Sequence, residues 1–321
     1  NTNLLRLWRA EAASSFDFEA FNVGDYYRAI DAKVVAENIS KVLYPNDQTP
    51  QGQELRLQQQ YFFVSCSLQN IIDIHLQAGG QLEELHNLWA VQLNDTHPAV
   101  AVAELMRLLM DVHGLDWDDA WDITRNTMAY TNHTLLPEAL ERWPVRLFEC
   151  LLPRLLEVIY EINGRFLAEV RQRWPGDNDR IRRMSLIEEG PEPQVRMAWL
   201  AIVGSFSVNG VAALHSKLLT EGLFKDFYEL WPEKFNNKTN GVTPRRWLAH
   251  CNPQLRALIS EKIGEGWITD LPQLQQLREH KGDPEFRRRW REVKYANKQR
   301  LARLVAEECR VDFAPEAMFD V

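Results

Sequence analysis

Cysteine is scarce: Cys66, Cys150, Cys251 and Cys309 are the four in 321 residues, far apart and without a C-x-x-C pair. A disulfide scaffold needs paired bridges, so this usage predicts free thiols and a cytoplasmic protein. Basic excess is missing too. Lysine and arginine number 37 against 45 acids, a net charge of −8, which speaks against nucleic acid or an anionic membrane as partner. The opening residues show no charged stretch followed by an apolar one, so no secretory signal is expected. The N-x-S/T tripeptides at Asn38, Asn94, Asn132 and Asn237 are then coincidental. One charge-free run, 197–214, approaches the length of a membrane span. Gly204, Ser205, Ser207, Asn209 and Gly210 interrupt it, and the expectation is a buried element that bends at that cluster. Phosphate-cradling glycine loops are absent, as is any H-E-x-x-H spacing, so no metal site is expected at His97 or His133.

What is present is an ordinary globular composition. Apolar residues make up 45% and charged residues 26%, with eleven Trp, eight Tyr and fourteen Phe to fill a core. Helical periodicity dominates, without internal repeats. Residues 52–77 place Leu55, Phe62, Leu68, Ile72 and His75 at three- and four-residue steps, closed by Gly79-Gly80. Residues 89–93 read as a buried strand ending at Asn94, and Pro98 opens a helix to about His113. Further helices are expected over 116–128, 145–174 with a kink at Pro153, 212–219 and 225–230. A strand is expected over 184–188. Strand-like signals vanish near Gly241, and the last helix runs from Asp283 to about Glu308. Its segment 286–303 is basic with interleaved aromatics, but Phe286, Trp290, Val293, Ala296 and Leu301 recur at helical spacing and should face a core. The chain opens at Asn1 without Met and stops on Met318-Phe319-Asp320-Val321, which reads as the start of a strand. It is therefore read as part of a longer protein.

Four polar clusters stand where elements end: 44–48 (YPNDQ), 94–98 (NDTHP), 131–134 (TNHT) and 239–247 (TNGVTPRRW). The second follows a strand and precedes a helix, where open α/β folds place ligand groups. Any one cluster is explained by helix capping or turn formation. All four together favour a polar pocket for a hydroxyl-rich ligand. Glu138 and Glu141, three apart on an expected helical turn, share a face. With Asp95 they offer the two carboxylates of a glycosidase, although acids at a helix start also suit its dipole.

At these clusters the chain closely resembles the α-glucan phosphorylases of glycogen, maltodextrin and starch. The segments ENISKVLYPND (37–47), LNDTHP (93–98), YTNHTLLPEALERWPV (130–145), SVNGVAALHS (207–216) and KTNGVTPRRWL (238–248) look like that family's signatures, in order and in register. The resemblance implies a helix-rich α/β chain, part of a two-lobed Rossmann-like glycosyltransferase fold of the GT-B type with the site in the cleft between the lobes. Residues 1–240 would be the C-terminal portion of the glucan-binding lobe, and 241–321 the start of the cofactor lobe. It implies phosphorolysis: inorganic phosphate releases the terminal α-1,4-linked glucose as glucose-1-phosphate, with pyridoxal phosphate held on a lysine.

Residue by residue, His133 matches the histidine that holds the glucose 6-hydroxyl, its carbonyl dipole favouring the charge of an oxocarbenium-like transition state. Asn240 matches the second 6-hydroxyl partner. Asp95, His97, Arg56, Glu141 and Asn46 match groups beside the anomeric carbon, and Val211 matches a sugar-contacting wall. Trp247 matches an aromatic beside the cofactor ring. Asn46, Asp47 and Gln48 match a gate loop (45–50) that excludes water. Residues 22–40 match a homodimer-contact helix. Many relatives carry Asn where this chain has Gln48, and the cofactor lysine and the basic phosphate-binding residues lie beyond Val321 in the family. The isolated chain is thus expected to be inactive. A non-catalytic glucan-binding or dimerising module, and a glycosidase built on Asp95 and Glu141, are the competing readings.

Overall fold

Residues 4–14 and 16–317 are described by the structure, a computed structural model; the strand expected over 318–321 lies outside the described residues. Two short helices, α1 (Phe18–Asn22) and α2 (Arg28–Asn38), lead into the long helix α3 (Pro50–Gln77). Thr49 caps α3 by accepting from the Gly52 N–H, and Pro50 sits in the first turn, where its missing N–H costs nothing. Gly79, with φ +84°, ends it. A single turn, α4 (Leu85–Leu88), precedes strand β1 (Val91–Asn94). Helix α5 (Ala101–Arg107) widens into a π-type turn at Leu108–Val112, so the helix expected over 98–113 starts later and ends loosened. Asp116 caps α6 (Trp117–Thr127), which feeds strand β2 (Met128–Thr131).

The expected helical turn carrying Glu138 and Glu141 is only Pro137–Ala139. The chain then extends through Glu141 into β3 (Arg142–Pro144), because pairing with a later strand pulls it straight. Glu138 is exposed and Glu141 half-buried, and the chain between them is not helical beyond Ala139, so the two share no helical face. The long helix expected next is two, α7 (Val145–Leu151) and α8 (Pro153–Arg173), divided where Pro153 can neither donate nor avoid the preceding carbonyls. There follow α9 (Asn178–Met184), β4 (Ile187–Glu188), β5 (Gln194–Arg196), α10 (Met197–Val203) and β6 (Ser207–Gly210). The charge-free run is therefore a buried helix and a buried strand bent apart at Gly204-Ser205. Helices α11 (Ala213–Leu218) and α12 (Lys225–Leu230) then reach β7 (Phe235–Asn237).

Strands β1, β2, β6 and β7 form one parallel sheet in that order, and β3-β5-β4 a small antiparallel one. Parallel pairing requires crossovers, which the helices supply. Register aligns Asn94 with Thr131, Thr131 with Asn209, and Asn209 with Asn236. A polar row thus crosses the C-terminal edge of an otherwise apolar sheet. Leu93, Met128, Tyr130 and Val208 pack with Leu105, Met106, Ile159 and Leu200 in the main core. Inside it, Glu104 accepts from Arg107 through two bonds of 2.8 and 2.9 Å and from Ser65 Oγ at 2.7 Å, tying α5 to α3.

The chain divides into two compact units, Asn1–Thr239 and Asn240–Val321. The second contains α13 (Pro253–Ile263) and α14 (Pro284–Cys309), a 3₁₀ stretch at Leu271–His280, and a small core around Ala249, Ile259 and Trp267. Its described residues hold no strand. The apolar stripe of α14 does not enter a core as expected: none of its residues is buried and Trp290 stays 42% exposed. A short neighbour, α13, covers part of one side of a helix more than twice its length. No helix among the described residues is long and apolar enough to cross a membrane.

Candidate functional site

The end of β1 makes the sharpest turn. Asp95 takes φ +63°, a conformation Asp tolerates better than most residues. Its N–H donates to the Thr131 carbonyl (2.9 Å) and its carboxylate accepts from the Thr96 N–H (2.6 Å). His133 Nε2–H donates to Asn94 Oδ1 at 2.6 Å, so the loop after β2 is pinned to the end of β1. Along the same edge Gln92 donates to Thr131 Oγ1, and that hydroxyl donates to Asn209 Oδ1, each at 2.9 Å. Asn132 is fully buried; it donates to the Tyr130 hydroxyl (3.0 Å) and accepts from the Thr134 N–H (3.1 Å). These inward bonds set the loop and leave the His133 side chain exposed. Burial pushes the Tyr130 phenol far above its usual range, so it stays protonated.

Beside this edge is a bonded cluster. Arg56 donates to Asp47 (2.6 Å), lies 3.7 Å from Glu141 and sits 5.7 Å over the Tyr44 ring. The Tyr44 hydroxyl is 3.3 Å from His97 Nδ1, with the rings edge to face. Glu141, its side chain 11% exposed, accepts from Gln60 and Trp143 Nε1, each at 2.9 Å. Burial raises its proton affinity above the ordinary carboxylate range, against the Gln60 bond and the charges of His97 and Arg56. Tyr44 has φ +56°, a strained backbone for a bulky residue and a mark of functional sites. The loop lies directly on α3: a side chain at Gly52 would strike the Asn46 carbonyl. Gln48 N–H donates to Asn46 Oδ1 (3.1 Å), and both residues are exposed. A cavity of about 500 Å³, walled by Trp8, Tyr44, Arg56, Gln60, Phe63 and His97, adjoins the cluster.

Val211, just past β6, donates its N–H to His215 Nδ1 at 3.0 Å. A Cβ on Gly210 would meet Ser216 Oγ at 2.5 Å and His215 Nδ1 at 2.9 Å, so this turn requires glycine. Burial keeps His215 below its usual proton affinity, preserving Nδ1 as an acceptor. Asn240 and Trp247 belong to the second unit, where both are exposed; Trp247 is 58% exposed in the wide turn Arg245–His250.

Asp47, Arg56, His97 and Glu141 thus share one cluster, and the segment 94–97 joins it to Asp95 and His133. Gln60 and Trp143 hold Glu141, and His215 holds Val211; no role for these three was read from the sequence, whereas Tyr44 belongs to the 44–48 cluster named there. Gln60 is 81 residues from the carboxylate it serves, a pairing no local pattern reveals.

A carbohydrate phosphorylase family model matches residues 1–321. Glycogen phosphorylase of Synechocystis sp. is 59% identical over 319 residues, covering 99% of this chain and 38% of that protein. The muscle form of glycogen phosphorylase from Mus musculus is 52% identical, and the brain form from Homo sapiens 53% identical, each over 327 residues covering 99% of this chain and 39% of theirs. The chain spans about two fifths of the length of these relatives. It belongs to the carbohydrate phosphorylase family.

Proposed function

We propose that these residues form the glucosyl-gripping half of an α-1,4-glucan phosphorylase, in which phosphate releases the terminal glucose as glucose-1-phosphate. The observation that carries this reading is the polar cluster in which Arg56 pairs with Asp47 and Glu141 and Tyr44 bonds His97, beside the polar edge that ends in Asn94, Asp95 and His133. His133 exchanges its bond to Asn94 for a sugar hydroxyl. Asp95, His97 and Asn46 present hydrogen-bonding groups to the ring, and Val211 offers an apolar wall. Glu141 is already occupied by Gln60, Trp143 and Arg56, which suits a positioning role better than that of a free acid. The 44–48 loop, packed on Gly52, excludes water from the glycosyl group, which would otherwise be hydrolysed.

Pyridoxal phosphate is the cofactor the family resemblance implies. The exposed Trp247 indole presents the flat apolar face that a pyridine ring requires, so the residue fits as one wall of its pocket. When bound, the cofactor's phosphate would supply the proton relay to substrate phosphate. We assign the apolar surface of α1 and α2, where Phe18, Phe21, Tyr27, Val34 and Val35 are exposed, to contact with a second copy.

Residues 1–321 alone, given maltoheptaose, phosphate and pyridoxal phosphate, should bind the glucan and release no glucose-1-phosphate. An assay for that product tests this. Its phosphate-dependent release would contradict the division of labour, and free glucose formed without phosphate would favour a glycosidase built on Asp95 and Glu141.

A further inference from the structure

The opposite end of the parallel sheet holds a second cavity, of about 360 Å³. It lies where α6 and α10 run out and where the chain enters β7, at the N-terminal ends of β2, β6 and β7. Ligands of open α/β sheets ordinarily bind at the other end. Trp117, Trp121 and Trp231 line it, and Lys234, Arg125 and Glu169 bring charge to it.

Lys234 is 5% exposed. Its ammonium sits 3.8 Å over the Trp231 ring and reaches only the Ile202 and Val203 carbonyls, at 3.4 and 3.5 Å. Three donors are served by two long contacts. Capping the C-terminus of α10 would explain Lys234, but not the cavity or the second cation. Arg125 has no ion-pair partner among the described residues, and the Trp117 Nε1–H is buried without an acceptor. Glu169 already accepts from Trp231 Nε1 at 3.0 Å. Arg165, which also lines the cavity, is paired with Glu161 and Asp118. Donors therefore outnumber acceptors in a pocket walled by indoles.

We infer that this cavity is a binding site for a flat aromatic carboxylate, its ring among the tryptophans and its anionic end toward Lys234 and Arg125. Burial lowers the Lys234 ammonium to about 7, with Arg125 adding to the effect and Glu169 and Glu233 opposing it. An entering carboxylate favours the protonated amine, so binding tightens as the pH falls from 8 to 6.

Calorimetric titration of the chain with naphthoate, and with the neutral naphthylmethanol, tests the assignment. The acid should bind saturably and roughly tenfold more tightly than the alcohol, since charged hydrogen bonds are the stronger ones. Arg125→Ala, a change at an exposed position, should remove most of that preference, and Lys234→Met should remove the pH dependence. Saturating maltoheptaose should not compete. Equal affinity for acid and alcohol, an unchanged affinity in Arg125→Ala, displacement by maltoheptaose, or no binding would each overturn the inference.

Discussion

Burying the Glu141 carboxylate costs more than Gln60, Trp143 and Arg56 return, so the folded protein holds that proton to higher pH than the unfolded chain does. The sign follows from linkage: a raised folded value means the folded state binds more protons, and stability falls as pH rises from the unfolded value, about 4.3, through the folded one. Glu141→Gln keeps an acceptor for Gln60 or Trp143 and removes the charge. The difference in melting temperature, variant minus parent, should therefore grow between pH 4 and pH 7; a difference that stays flat would contradict the burial argument. At this scale the turn-end residues were legible in the sequence, because Asn, Asp and Thr after a strand satisfy backbone groups locally, as Asp95 and Asn132 do. Glu141 was legible as a polar group and misplaced as a helical one. Spacing of three suggested a helix, and strand pairing at Arg142 overrode it.

Elements are held together by groups that have no alternative partner. Glu104 is fully buried between α3 and α5, answered by Arg107 and Ser65. Removing the guanidinium in Arg107→Met leaves a buried charge nearly unpaired, which should cost about 3–5 kcal/mol. Urea unfolding measures this, and a loss within error of zero would show that the buried Glu104 carboxylate does not depend on the Arg107 ion pair. The long helix α3 and the break at Pro153 were readable from periodicity and proline chemistry. Strand β6 was not, since a buried helix and a buried strand in one apolar run carry no distinguishing period. The stripe of α14 misled for the converse reason: periodicity reports which face is apolar, not whether anything covers it.

For the whole molecule, five short signatures in order gave the family resemblance, which composition and charge alone could not supply. The exposed aromatic surface of α1 and α2 carries an expectation of its own. In a chain of the relatives' full length, Tyr27→Asp, at a residue 85% exposed, should weaken the proposed self-association without unfolding, which sedimentation velocity would detect as a shift from dimer to monomer. An unchanged dimer would move the interface elsewhere. The central claim is the proposal that a single glucosyl unit is held at the C-terminal strand edge, and steady-state kinetics of His133→Ala in a chain of the relatives' full length test it most directly. We expect kcat to fall by roughly tenfold or more while KM changes less, as for a group whose contact strengthens in the transition state. A rise in KM alone, or no change in either constant, would contradict it.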